Sequence, residues 1–201
     1  MDLNEAIYHR RSVRRYRDQE IEPATIAGLL DAAVQAPSAL NQQPWAFGVY
    51  HGRRRLRGYS ERAKIHLVET LPPLFEMDMR SQLYETPDYD LFHGADTVVV
   101  IYAAPGRLRP AEDCCLAAEN FMLAAHAVGL GTCAIGFARS WFNLPEIKNE
   151  LGVPDELMAV FPMVIGHPAG GTVPALAPRR APNIVSWKWD NDDELRPGSR
   201  P

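Results

Sequence analysis

Residues Thr97–Ala103 place Val98, Val99, Val100 and Ile101 in unbroken succession. A strand with one wet face alternates apolar and polar residues. An uninterrupted β-branched run instead suits a strand covered on both faces, which puts it at the centre of a sheet. The rest of the chain supplies the cover. Leu3, Ala6 and Ile7 make a short apolar stripe at helical spacing, and Ile26, Leu29, Leu30, Ala33 and Val34 make a longer one that opens at Pro23 and stops before Pro37. Arg53–Thr70 and Pro145–Leu151 also read as helices, residues 45–50 as a strand, and residues 157–166 as a further apolar run. The order mixes α and β, with no internal repeat and no linker. An α+β fold in one domain, residues 1–201, is expected, and 201 residues are enough for one sizeable core.

The segment at residues 111–128 carries Leu116, Ala117, Phe121, Met122, Leu123, Ala124, Ala125 and Val128 around nearly its whole circumference. A helix of this kind calls for burial on all sides, which motivates a homodimer. The tail beyond Gly170 is rich in Pro and Arg and is expected to extend and wrap a partner. The longest apolar runs are interrupted by Asp96, Glu119 or His126 and fall short of the roughly 18 to 20 residues that span a bilayer. The first residues lack the basic-then-apolar order of a signal peptide, and three cysteines form no disulfide framework. A cytoplasmic protein with no membrane partner is expected.

Five arginines, Arg10, Arg11, Arg14, Arg15 and Arg17, fall within one short segment of a chain whose 21 Lys+Arg are outnumbered by 25 Asp+Glu, for a net charge of -4. Positive charge so concentrated on an acidic protein points to a compact anion such as a phosphate; a nucleic acid would favour a broad basic face. In an extended chain Arg10, Ser12 and Arg14 share a side, and in a helix Arg10 and Arg14 share a face. Guanidinium forks match phosphate oxygens, and Ser12 adds a hydroxyl donor. Taken alone, the segment also reads as a solvated basic turn.

Pro37, Ser38, Ala39, Leu40, Asn41, Gln42, Gln43 and Pro44 form a loop whose amides and hydroxyl suit a ligand with mixed donors and acceptors, or an ordinary connection from helix to strand. Gly129, Gly131 and Gly136 flank Thr132, Cys133 and Ala134, leaving backbone that a flat ring could approach. The bland alternative is a helix cap at Gly129 leading into a strand. The six histidines show no ligand or triad spacing, so no metal is expected.

Four motifs in order, namely Arg10 to Tyr16, the 37–45 loop, Gly129 to Gly136 after its apolar helix, and Val164-Ile165-Gly166-His167-Pro168 ahead of Arg179 and Arg180, resemble the nitroreductase family of FMN-dependent oxidoreductases. The resemblance implies a mixed, mainly antiparallel sheet flanked by helices, in an intertwined homodimer that exchanges its C-terminal extension, residues 171–201. It implies FMN as cofactor, NADH or NADPH as reductant, and a small aromatic acceptor, nitroaromatic or quinone, reduced in a ping-pong scheme at flavin N5 with no catalytic side chain. Dehalogenation, flavin fragmentation, heterocycle oxidation and flavin sequestration without turnover are the alternatives within the same fold. By resemblance Arg10, Arg11, Ser12 and Arg14 surround the FMN phosphate, ribityl chain and pyrimidine edge. Pro37, Ser38, Ala39 and Asn41 reach the flavin from the other subunit. Ala134, Ile135 and Gly136 lie beside its reactive edge, and Arg179 or Arg180 closes on the phosphate. Lys64 is a candidate for the pyrimidine. Residues 71–93 form either a lid that selects substrate or a packed surface excursion, and Trp141 and Phe142 either wall the pocket or pack.

Overall fold

A computed structural model describes residues 1–70, 89–170 and 179–188. Four strands, β1 (Trp45–His51), β2 (Thr97–Ala103), β3 (Gly131–Ala134) and β4 (Met158–Gly166), form a sheet in the order β1-β2-β4-β3. Every neighbouring pair is antiparallel. The β-branched run is the interior strand β2, and all seven of its residues are buried. Its side chains alternate between two cores. Val98, Val100 and Tyr102 join Tyr50, Leu56, Trp141 and Phe142 on one face of the sheet. Val99 and Ile101 join Ile26, Leu29, Phe121 and Ile165 on the other. The unbroken apolar run exists because neither face of this strand meets water.

Among the described residues six α-helices cover the sheet: α1 (Leu3–His9), α2 (Pro23–Ala33), α3 (Arg53–Thr70), α4 (Pro110–Ala127), α5 (Arg139–Phe142) and α6 (Pro145–Leu151). Their ends follow local chemistry. Asp2 caps α1 by accepting the Glu5 N–H at 2.8 Å, prolines open α2, α4 and α6, and Gly129 just past α4 takes φ +80. The cap reading of Gly129 therefore holds. Within one protomer α4 buries one side, through Cys114, Ala117, Phe121, Met122 and Ala125, so burial on all sides would need a second copy. Glu112, Cys115, Leu116 and Glu119 form an exposed stripe at helical spacing.

On α3, Ser60 is buried and its hydroxyl accepts the Leu91 N–H at 2.7 Å. This bond ties residues 89–93 to the helix, and Leu91 and Phe92 are fully buried. The end of the expected lid segment is thus packed core, while residues 71–88 lie outside the described residues. Residues 179–188 are extended and exposed throughout, with Val185 at 90% exposure beside Ile184 and Trp187. Residues 171–178 and 189–201 of the tail lie outside the described residues. Among the described residues no helix is long and apolar enough to cross a membrane.

Candidate functional site

The arginine segment is laid against the outer edge of β3. Ser12 bridges Thr132 in parallel and Tyr16 bridges Pro168 in antiparallel fashion. The Val13 N–H donates to the Thr132 carbonyl at 2.9 Å, and the Arg17 N–H donates to the His167 carbonyl at 2.8 Å. Two glycines make the seat. A Cβ on Gly131 would stand 2.6 Å from Val13 Cγ2, and one on Gly166 would stand 2.6 Å from the Tyr16 ring. Gly131 is therefore filled by Val13 and is not a bare surface for a flat ring, which corrects the sequence reading at that position. Gly129 and Gly136 are the open members of the three, with nothing within 4 Å of the missing Cβ, and Gly129 is the helix cap.

Extended backbone sends alternate side chains to opposite sides. The Ser12 hydroxyl bonds the Cys133 thiol, and the guanidinia of Arg14 and Arg10 both act on it. Burial raises the thiol's pKa, and these three contacts oppose that rise. Alternation puts Arg10, Ser12 and Arg14 on one side of the extended segment, and all three bear on Cys133 electrostatically. Arg11 turns elsewhere: its Nη1 donates to the carbonyls of Tyr8 at 2.8 Å and Arg10 at 2.6 Å, closing the end of α1. Arg10 Nε also stands 3.7 Å from Glu119 Oε1 on α4.

Among the described residues, the buried side-chain atoms left without a hydrogen-bond partner are Arg11 Nε, His126 Nε2 and Thr132 Oγ1. All three belong to this neighbourhood. Thr132 pairs with Ser12, and His126 feels Arg10 and Arg11. Orphaned buried polar atoms are rare in folded proteins and call for an explanation such as a missing ligand. Two guanidinia, Arg10 and Arg14, with the Ser12 hydroxyl and unspent buried polar groups fit the phosphate of an FMN.

The 37–45 loop is wound tightly over Ala39–Asn41, with Leu40, Asn41 and Gln43 at φ +51, +54 and +47. Side chains seldom accept this conformation, and such strain concentrates at functional sites. Bonds hold it. The Ala39 N–H donates to both oxygens of the buried Asp113 carboxylate at 3.2 and 3.1 Å, the Gln43 N–H donates to Ser38 Oγ at 2.9 Å, and the Leu108 N–H donates to Gln42 Oε1 at 2.9 Å. Leu40 projects 84% exposed from the top.

Asp113 anchors this loop and Glu119 meets Arg10, so both halves of the site lean on α4. Six residues separate the two anchors, about 9 Å along the helix and about 240° around it. Within one protomer, loop and arginine segment therefore touch different faces of α4. Pro37, Ser38, Ala39 and Asn41 are not brought onto Arg10, Arg11, Ser12 and Arg14 by this chain alone. Ala134 and Gly136 are exposed and Ile135 is buried in the core, its N–H donating to Pro162 at 2.8 Å. Arg179 and Arg180 are exposed on the tail. Lys64 is half-buried on α3. Trp141 and Phe142 are core residues in contact with each other, with ring centroids 5.0 Å apart. Asp113, Glu119, His126 and Thr132 were not foreseen, since each reads from sequence as an ordinary helix or strand residue.

The model of the family described as the nitroreductase family matches residues 7–167. A protein of Methanothermobacter thermautotrophicus, provisionally assigned as an NADH dehydrogenase/NAD(P)H nitroreductase, is 29% identical over 173 residues, covering 84% of this chain and 78% of that protein. The nitrobenzene nitroreductase of Ectopseudomonas oleovorans is 29% identical over 197 residues, covering 82% of this chain and 86% of that protein. Among solved structures, a nitroreductase with bound FMN from Bacteroides fragilis superposes with a TM-score of 0.75 at 25% identity, covering 94% of this chain and 98% of that one. The match of the family model across most of the chain, on a sheet whose edge carries the arginine segment, establishes that the chain belongs to the nitroreductase family.

Proposed function

We propose that the protein is an FMN-dependent NAD(P)H oxidoreductase that reduces nitroaromatic or quinone acceptors in a ping-pong cycle. The observation that carries the reading is the arginine segment seated on the edge of β3 beside three orphaned buried polar atoms. The nitrobenzene nitroreductase among the relatives supports an aromatic acceptor. Bound FMN would supply the two-electron chemistry, receiving hydride from NAD(P)H and giving it up to the acceptor. The chain's own residues bind and orient. Arg10 and Arg14, with Arg11 beside them, hold the anionic end of the cofactor, and Ser12 donates its hydroxyl there. The backbone of Ala134 and Gly136 lies exposed at the strand end on either side of Ile135, whose own N–H is spent on Pro162, and backbone N–H groups placed there would stabilise negative charge without a reorganisation cost. Arg179 or Arg180 would close the site. No acid or base is required of a side chain, because electron and hydride transfer belong to the cofactor.

The other half of the site comes from a second copy. Loop and arginine segment occupy different faces of α4, and apolar side chains that a monomer would leave wet are numerous: Leu3, Ile7 and Leu40 near the site, and Ile184, Val185 and Trp187 on the tail. In a homodimer the 37–45 loop of one protomer meets the arginine segment of the other, and the tails are exchanged. Strand β1 is a sheet edge flanked by an apolar groove of about 480 Å³ between α2 and Val49, a fitting berth for an exchanged tail. Anaerobic stopped-flow with purified protein tests the function. Flavin should bleach on NADH or NADPH and regain colour on nitrobenzene. A protein with no affinity for FMN refutes the reading.

A further inference from the structure

His126 stands in the last turn of α4 with a buried Nε2 that has no partner. The groups that bear on it are Glu5 and His9 from α1, and Arg10 and Arg11 from the segment that follows. On its own helix, Glu119 lies two turns earlier on the same face and is engaged with Arg10 at 3.7 Å. Cations outnumber carboxylates around the ring. Burial, then Arg10 and His9, lower its pKa below the ordinary histidine value, and Glu5 offsets this only in part. Arg10 acts both on this imidazole and on Cys133. An anion held by Arg10 therefore lies within the field felt at His126.

We propose that His126 is the proton-carrying member of the anion site, taking up a proton from solvent as a phosphate monoester dianion settles on Arg10 and Ser12. The inference rests on the FMN reading of that site. The dianion draws Arg10 from Glu119 and supplies the negative charge that the imidazole lacks, so the charged ring becomes the stable form. One N–H bond forms on the ring as hydronium or a buffer acid gives up its proton, and no other bond is made or broken. Binding and protonation then favour each other, and affinity falls as pH rises through the histidine pKa of the complex.

Calorimetric titration with FMN, in two buffers of unlike ionisation heat, counts the protons taken up, and flavin fluorescence reads affinity. Wild type should take up part of a proton near neutrality, and its affinity should fall about threefold to tenfold between about pH 6 and about pH 8. His126→Gln should bind FMN with that uptake abolished. Riboflavin, which lacks the phosphate, should show no uptake with either protein. Unchanged uptake in His126→Gln overturns the proposal. Should that variant fold poorly, the His126 ring resonances of wild type, titrated with and without FMN, decide: a raised pKa in the complex supports the proposal, and an unmoved one overturns it. If FMN fails to bind at all, the flavin reading falls by itself. The same resonances titrated with inorganic phosphate then decide the role of His126 by the same criterion.

Discussion

Replacing Gly131 by alanine tests how the anion site is built. The added Cβ would stand 2.6 Å from Val13 Cγ2 and 2.7 Å from Val13 Cβ, where ordinary contact begins at 3.4 Å. Val13 has no rotamer that moves its own Cβ, so backbone must yield by most of an ångström. β3 is bonded to β4 along its length, whereas the arginine segment is held by isolated bridges at Ser12 and Tyr16. The segment is what gives way. Overpacking of this kind costs about 1 to 3 kcal/mol of stability, and moving Ser12 and Arg14 off their positions loses a charge-assisted contact worth about 1.5 to 3 kcal/mol. Thermal melting should fall by several degrees, and FMN affinity read by flavin fluorescence should drop about tenfold to a hundredfold. Val13→Gly in the same chain removes the offending atoms and should restore part of the affinity. A Gly131→Ala protein with native melting and native FMN affinity would refute the seat.

Arg14→Ala should weaken FMN about tenfold to a hundredfold without altering the melt, and unchanged binding would remove it from the site. Tyr102→Phe leaves the buried Tyr50 hydroxyl without its 2.9 Å partner and should cost about 1 to 3 kcal/mol in denaturant unfolding; a smaller loss means that water reaches the pair. His93 has its pKa lowered by burial and by Arg14, with Asp90 opposing. Protonation therefore favours the unfolded chain, and stability present above the ordinary value of 6.5 declines as pH falls below it. His93→Gln should flatten that slope, and an identical slope in the variant would contradict the assignment. In gel filtration, a particle at the 22.4 kDa monomer mass would rule out the shared site.

Much of the scaffold could be read from the chain because its signals are local. Val98 to Ile101 announced an interior strand, Pro23 marked a helix start, and Gly129 offered a helix end as one of its two readings. What escaped depends on contacts between residues far apart in sequence. Nothing near Gly131 or Gly166 says that Val13 and Tyr16 will lie on them, and the bare glycines invited a ligand reading that the structure gives to side chains. Asp113 stands in the first turn of α4 beside Glu112, with nothing in the local sequence to single it out. That its carboxylate grips the Ala39 N–H is a fact about two segments 74 residues apart. Of the two conformations open to the arginine segment the structure takes the extended one, bridging β3 at Ser12 after α1 ends at His9. Arg11, taken in by resemblance, spends two bonds on closing α1.

Because α4 holds the loop at Asp113 and meets the arginine segment at Glu119, the interval between them behaves as a counted spacer. Deleting one residue there would turn everything beyond it by about 100° and draw it in by about 1.5 Å. One contact would then face a core that has no place for it. Insertions near seven residues return the phase to within about 20°, but carry the two anchors apart by about 10 Å. The helix is thus fixed in phase and in length at once, and relatives that keep both anchors should show no gaps between these two positions.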